Sequence, residues 1–221
     1  MKVEKRTRAW SITPPAKSNS LTIALFSLFV LCLAAQSVVG WRQQNDMLAA
    51  HGQALIGYWH NLVSSSFLEG LASNWQAAFL QLATLIVFSS IFYQRGAPHS
   101  RDPDKGNDQR KRREEATRFS WLYRHSLSVV FVLLFGLSLA LHAWFGANTY
   151  NAQRALAGQS PISLGAFLVS AQFWSSNLQT WQAEYLTIAL FVVLSVFLRQ
   201  QDSAESKPLE STDESTGESN H

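Results

Sequence analysis

The feature that most constrains this chain is internal repetition. Displaced by 106 positions, residues 20–102 fall on residues 126–208 without a gap. Gly40 meets Gly146, Asn45 meets Asn151, and Gly52-Gln53 meets Gly158-Gln159. Phe67 meets Phe173, and Trp75-Gln76-Ala77 meets Trp181-Gln182-Ala183. A gapless register of this length predicts two copies of one structural unit. Each copy carries two long apolar stretches, so the unit reads as a helical hairpin built for a bilayer.

Average composition hides this. A hydrophobic content of 47% and a mean hydropathy of −0.01 would suit a soluble protein. The apolar residues are concentrated, however. Residues 21–40, 75–93 and 127–146 carry no charge, and residues 181–198 carry one, Glu184. About 20 mostly apolar residues span a hydrocarbon core of about 30 Å. Backbone polar groups in lipid must be satisfied within the segment, which selects helices. Four such stretches in a soluble fold of 221 residues would leave too little polar surface to cover them. The expected fold is all-α: four transmembrane helices, about 21–40, 75–94, 127–146 and 181–199, as two tandem parallel repeats of a hairpin.

Lys2, Lys5, Arg6 and Arg8 followed by an apolar run also resemble a signal peptide, with Ala35-Gln36-Ser37 as a cleavage site. The same element recurs internally at 126–146, where it has no such use, and this argues for a retained span. Cys32, the only cysteine, falls in mid-span and reads as a packing residue.

Charge sets the orientation. Of 18 Lys and Arg, only Arg42 and Arg154 lie in the loops after the first and third spans. Basic residues stay cytoplasmic, so both termini and the central connection are expected inside, and residues 41–74 and 147–180 outside. Trp41, Trp75, Trp121, Trp144 and Trp181 fall near span ends, where amphipathic rings settle. Copies that begin on the same side are parallel repeats, unlike the inverted repeats of many alternating-access transporters.

The remaining segments follow from this frame. Residues 1–19 form a basic arm, 103–125 a basic connection and 209–221 an acidic tail, expected to be disordered. Gly52 and Gly158 are placed to stop helices that run on past the membrane from Trp41 and Ala147. Leu62, Val63, Phe67, Leu68 and Leu71 recur at near-helical spacing, as do Phe167, Leu168, Val169, Phe173 and Trp174. Each outer loop is therefore expected to hold a short amphipathic helix, either capping the bundle or offering a partner groove. Arg110-Lys111-Arg112-Arg113, followed by Phe119, Trp121 and Tyr123, suits an interfacial helix that meets anionic lipid headgroups. The same cluster serves equally as an orientation signal. Topology accounts for the positive charge, so nucleic acid is not an expected partner.

Residues with chemical potential are few. Glu184 lies about one turn inside the fourth span, and its counterpart in the first copy is Ala78. Ionisable residues in spans are costly and often functional. Gln36, His142, Gln76 and Gln81 are polar groups near the outer ends of other spans, and Glu184, His142, Gln36 and Gln182 form a candidate intramembrane polar site. A carboxylate near the interface also serves helix packing while hydrated. His51 and His60 match no metal-ligand spacing, and no phosphate loop or nucleophile elbow occurs. No cofactor, metal or enzymatic activity is expected.

The pattern Asn74-Trp75-Gln76-Ala77-Ala78-Phe79-Leu80-Gln81, with a span ending Tyr93-Gln94-Arg95-Gly96, resembles a bacterial membrane-protein family, domain of unknown function 6766. Thr180-Trp181-Gln182-Ala183-Glu184-Tyr185-Leu186, ending Phe197-Leu198-Arg199-Gln200, is similar to it more closely. The resemblance covers nearly all of residues 20–207 and implies a bacterial inner-membrane protein with a Glu in the Trp-x-x-Glu-aromatic-Leu element. Only the second copy keeps that Glu. Two functions stay open. One is a non-enzymatic scaffold or accessory subunit with a membrane-protein or homo-oligomeric partner. The other is a small channel or transporter with a polar path near Glu184 and His142.

Overall fold

The computed structural model describes residues 19–102 and 119–217. The basic arm, the cluster Arg110, Lys111, Arg112 and Arg113, and the end of the tail lie outside the described residues. Among the described residues the chain is all helical, with seven helices. They are α1 (Ser20–Ala50), α2 (Tyr58–Leu62), α3 (Ser65–Ile91), α4 (Trp121–Arg124), α5 (Ser126–Leu156), α6 (Leu164–Leu168) and α7 (Ala171–Phe197). Four helices are long and apolar enough to cross a membrane: α1, the run through α2 and α3, α5 and α7. They are compatible with a multi-pass membrane protein.

Each of α1, α2 and α3 has a counterpart in α5, α6 and α7 of equal length, displaced by the 106 positions that separate Ser20 from Ser126. The breaks between them are built alike. Gly52 (φ +66°) and Gly158 (φ +70°) turn the chain left-handed just after α1 and α5. Asn45 then closes the first loop: its amide donates to the Ile56 carbonyl at 3.0 Å and accepts from the Ile56 N–H at 2.8 Å. Asn151 does the same to Ile162 at 2.9 and 2.8 Å. Ser64 and Ser170 cap α3 and α7, accepting from the backbone N–H of Phe67 and Phe173.

These caps explain a difference from the expected spans. Helices α3 and α7 begin about ten residues upstream of 75 and 181, at Ser65 and Ala171. Phe67, Leu68, Leu71, Phe173 and Trp174 therefore belong to the long helices. Only the five-residue α2 and α6 remain as separate loop helices.

The chain divides into two compact units, residues 1–63 and 64–221, so the boundary falls inside the first predicted copy. In the first unit α2 packs on α1. The Ser37 and Tyr58 hydroxyls hydrogen-bond at 2.8 Å, and Trp41 Nε1 donates to the Ile56 carbonyl at 2.7 Å. In the second unit α3 packs extensively along α5 and less so along α7. Small buried residues allow close approach: Ala72, Ala77 and Ala83 on α3, Ser138, Ala143, Gly146 and Ala147 on α5. A Cβ on Gly146 would sit 3.1 Å from Phe167 and 3.3 Å from Glu69. Phe167 of α6 is buried with Ala143, Ala147 and Phe173, which anchors the loop helix.

Residues 198–217 contain turns rather than long helices. Arg199 pairs with Asp213 at 2.8 Å, Lys207 Nζ donates to the carbonyls of Thr212 and Asp213, and Thr216 accepts from the Gly96 N–H.

Candidate functional site

The second unit holds a buried polar cluster where α3, α5 and α7 converge. Gln76 on α3 is completely buried, as is Asn177 on α7. Gln76 Nε2 donates to Asn177 Oδ1 at 2.8 Å, and Trp181 Nε1 donates to Gln76 Oε1 at 3.0 Å. Asn177 Nδ2 donates to the Phe173 carbonyl one turn back. One amide thus joins two side chains of α7, four residues apart and so on one helical face. Leaving a buried amide unpaired costs about 1–3 kcal/mol, so this geometry holds α3 against α7 in one register.

His142 of α5 closes the cluster. It is 1% exposed and stands 5.5 Å from the ring of Phe173, one turn before Asn177 on α7. Its Nδ1 is buried without a hydrogen-bond partner among the described residues. One turn further along α5, Gly146 lies against Glu69 of α3, a half-buried carboxyl. Two turns towards the other end, Gln81 Nε2 donates to the Glu184 backbone carbonyl at 3.1 Å, and the hydroxyls of Thr84 and Tyr185 meet at 3.2 Å.

The sequence-predicted site is distributed differently. His142 sits inside the cluster. Glu184 contributes its backbone carbonyl to Gln81, and its side chain is half-buried. Gln182 is exposed. Gln36 is exposed on α1 and belongs to the other unit. The matched pair Gln76 and Gln182 therefore have different environments: one is buried at a helix contact, the other is on the surface. Asn177 and Glu69 are cluster residues that sequence reasoning missed. The available signal was spacing, since Asn177 stands four residues before Trp181 and Glu69 follows the Ser64 cap within a continuous helical pattern.

Among the described residues no group of three or more His, Cys, Asp and Glu side chains is placed to hold a metal ion. The arrangement is suited to joining helices: its amides and the indole are consumed by one another, and its one unpaired atom is the His142 Nδ1.

No curated protein and no solved structure matches the chain. The family described as Domain of unknown function (DUF6766) matches residues 13–218, which is most of the 221 residues. The chain, with its four apolar helices and its buried amide cluster, belongs to that family.

Proposed function

We propose that this is a non-enzymatic scaffold or accessory subunit of a bacterial inner membrane, with both termini and the central connection in the cytoplasm. Concentration of all Lys and Arg but Arg42 and Arg154 in three segments supports the orientation. The recurrence of helix ends, glycine turns, Asn closures and Ser caps at one displacement supports an origin by tandem duplication.

The observation that carries the scaffold reading is the surface of the two loop helices. Trp59 and Val63 are 78% and 71% exposed, and Val169 is 81% exposed. Phe167 anchors α6 inward while Leu164, Leu168 and Val169 face away. Large apolar groups beside polar loops mark surfaces for protein or lipid contact. The buried amide cluster keeps the supporting helices in one arrangement. A membrane-protein partner or a second copy would dock there.

The test is cross-linking in native membranes from photoreactive side chains placed at Val63 and Leu168, beside Trp59 and Val169. A discrete adduct with a membrane protein or a second copy, lost in Val169→Glu and Trp59→Glu and retained in Glu184→Gln, supports the reading. Adducts with lipid alone would overturn it.

A channel or transporter is the second reading. It is favoured by the buried, unpaired Nδ1 of His142 at the helix junction, with Glu69 one turn beyond. It requires a conduction path that flux measurements would reveal.

A further inference from the structure

Past the Thr84–Tyr185 hydroxyl pair, α3 and α7 run on to their last turns. Between their last turns lies an open groove of about 450 Å³. Its walls are single helical faces: Leu85 and Phe88 on α3 with Phe92 just past its end, and Ile188, Ala189 and Val192 on α7. The spacing is three and four residues, so each wall is continuous along its helix. The loop after α3 closes the groove's end with Tyr93, Gln94, His99 and Ser100. The groove is thus apolar along its length and polar at the end where α3 and α7 finish. Its volume lies within the range of about 300–1,000 Å³ typical of ligand sites.

Positive charge adjoins the polar end, where Arg101 follows the lining residue Ser100. Arg101 stacks over the Tyr93 ring, 5.1 Å from its centre, and donates to the Ser90 carbonyl. Its Nε is buried without a hydrogen-bond partner, and no carboxylate pairs with it among the described residues. His99 lies beside it in sequence, with Nε2 3.2 Å from Glu205, an exposed carboxylate of the tail. Arginine offers a planar fork of donors suited to phosphate. An apolar trough beside an arginine that has no counter-ion among the described residues matches a molecule with an apolar chain and an anionic head.

We propose that this groove binds one anionic phospholipid, with an acyl chain between α3 and α7 and its phosphate at Arg101. None of its residues belongs to the basic cluster at 110–113 or to the loop helices. It rests on the membrane-spanning reading alone, which resistance of the chain to alkaline extraction from membranes tests separately.

The experiment is native mass spectrometry of the full chain in detergent, titrated with phosphatidylglycerol or phosphatidylcholine of the same acyl composition. One phosphatidylglycerol retained in preference to phosphatidylcholine is expected. Arg101→Gln should lower that preference about fivefold, the worth of one basic residue at an anionic surface. Ala189→Phe, which fills the groove, should abolish retention of both lipids, with helix content by circular dichroism unchanged. Val192→Phe serves as a second filling variant should Ala189→Phe fail to fold. Equal retention of the two lipids would overturn the anionic assignment. Retention indifferent to the filling variants would overturn the groove. A preference lost only on neutralising Arg110–Arg113 would move the site to the central connection and overturn the proposal.

Discussion

Gln76 is the residue on which the second unit turns, because it serves α7 twice through one amide. Gln76→Leu would strand the Trp181 indole N–H and the Asn177 carbonyl oxygen in a dry contact. Side-chain hydrogen bonds between membrane helices are worth about 0.6–2 kcal/mol, so the variant should lose about 1–2 kcal/mol in denaturant unfolding from mixed micelles. The double variant with Asn177→Leu should lose less than the sum of the singles, since each removes the other's partner. Strict additivity would show that the two amides act independently. Gly96 offers a second test. Its φ of +84° suits glycine, and a Cβ there would run into the Asp213 carbonyl and approach Val196 Cγ1 at 2.9 Å. Forcing a side chain into the left-handed region costs about 1–2 kcal/mol before the collision is counted. Gly96→Ala should therefore release the tail, read as faster cleavage of residues 201–217 in limited proteolysis. An unchanged cleavage rate would place the tail elsewhere. Neither residue announced this role in the sequence. Gln76 was visible as part of a repeated Trp-Gln-Ala element, but its partner Asn177 faces it from 101 positions away, and no local pattern encodes that pairing.

At the scale of elements, most of the architecture was legible because helices of this kind are dictated locally. Runs with at most one charge and long enough for a bilayer predicted the four long helices, and Gly52 and Gly158 marked where α1 and α5 stop. The starts of α3 and α7 were misplaced because hydropathy registers the apolar core of a span, while the Ser64 and Ser170 caps set where the helix begins. The lateral packing of α3 on α5 depends on small residues and distant partners, which periodicity does not reveal. The two Asn closures make a comparative prediction. Asn45 and Asn151 each make two hydrogen bonds to one isoleucine at nearly the same distances. Two bonds at about 0.5–1.5 kcal/mol each should be lost in either Asn→Ala variant. Hydrogen exchange at Ile56 in Asn45→Ala and at Ile162 in Asn151→Ala should accelerate to a similar degree. A large effect in one loop and none in the other would mean that the shared geometry hides different energetics.

On the scale of the whole molecule, the polar groups and the apolar surfaces suggest a division of labour. The buried amides fix helices against each other, and the loop helices and the groove between α3 and α7 present surfaces for contact. The candidate polar site drawn from sequence was only partly legible for the same reason. His142 was found by its depth in a span, but Glu184 was weighted by its charge, and its side chain is only half-buried. Its backbone carbonyl, which any residue would supply, makes the contact with Gln81. On this account Glu184→Gln is tolerated and the helices conduct nothing. The most direct measurement is proton and monovalent-cation flux into liposomes carrying the purified full chain, compared with Glu184→Gln, His142→Ala and protein-free vesicles. The account predicts flux at the protein-free level in all three proteins. A flux present in the native chain and abolished by Glu184→Gln or His142→Ala would contradict it and establish a conducting path instead.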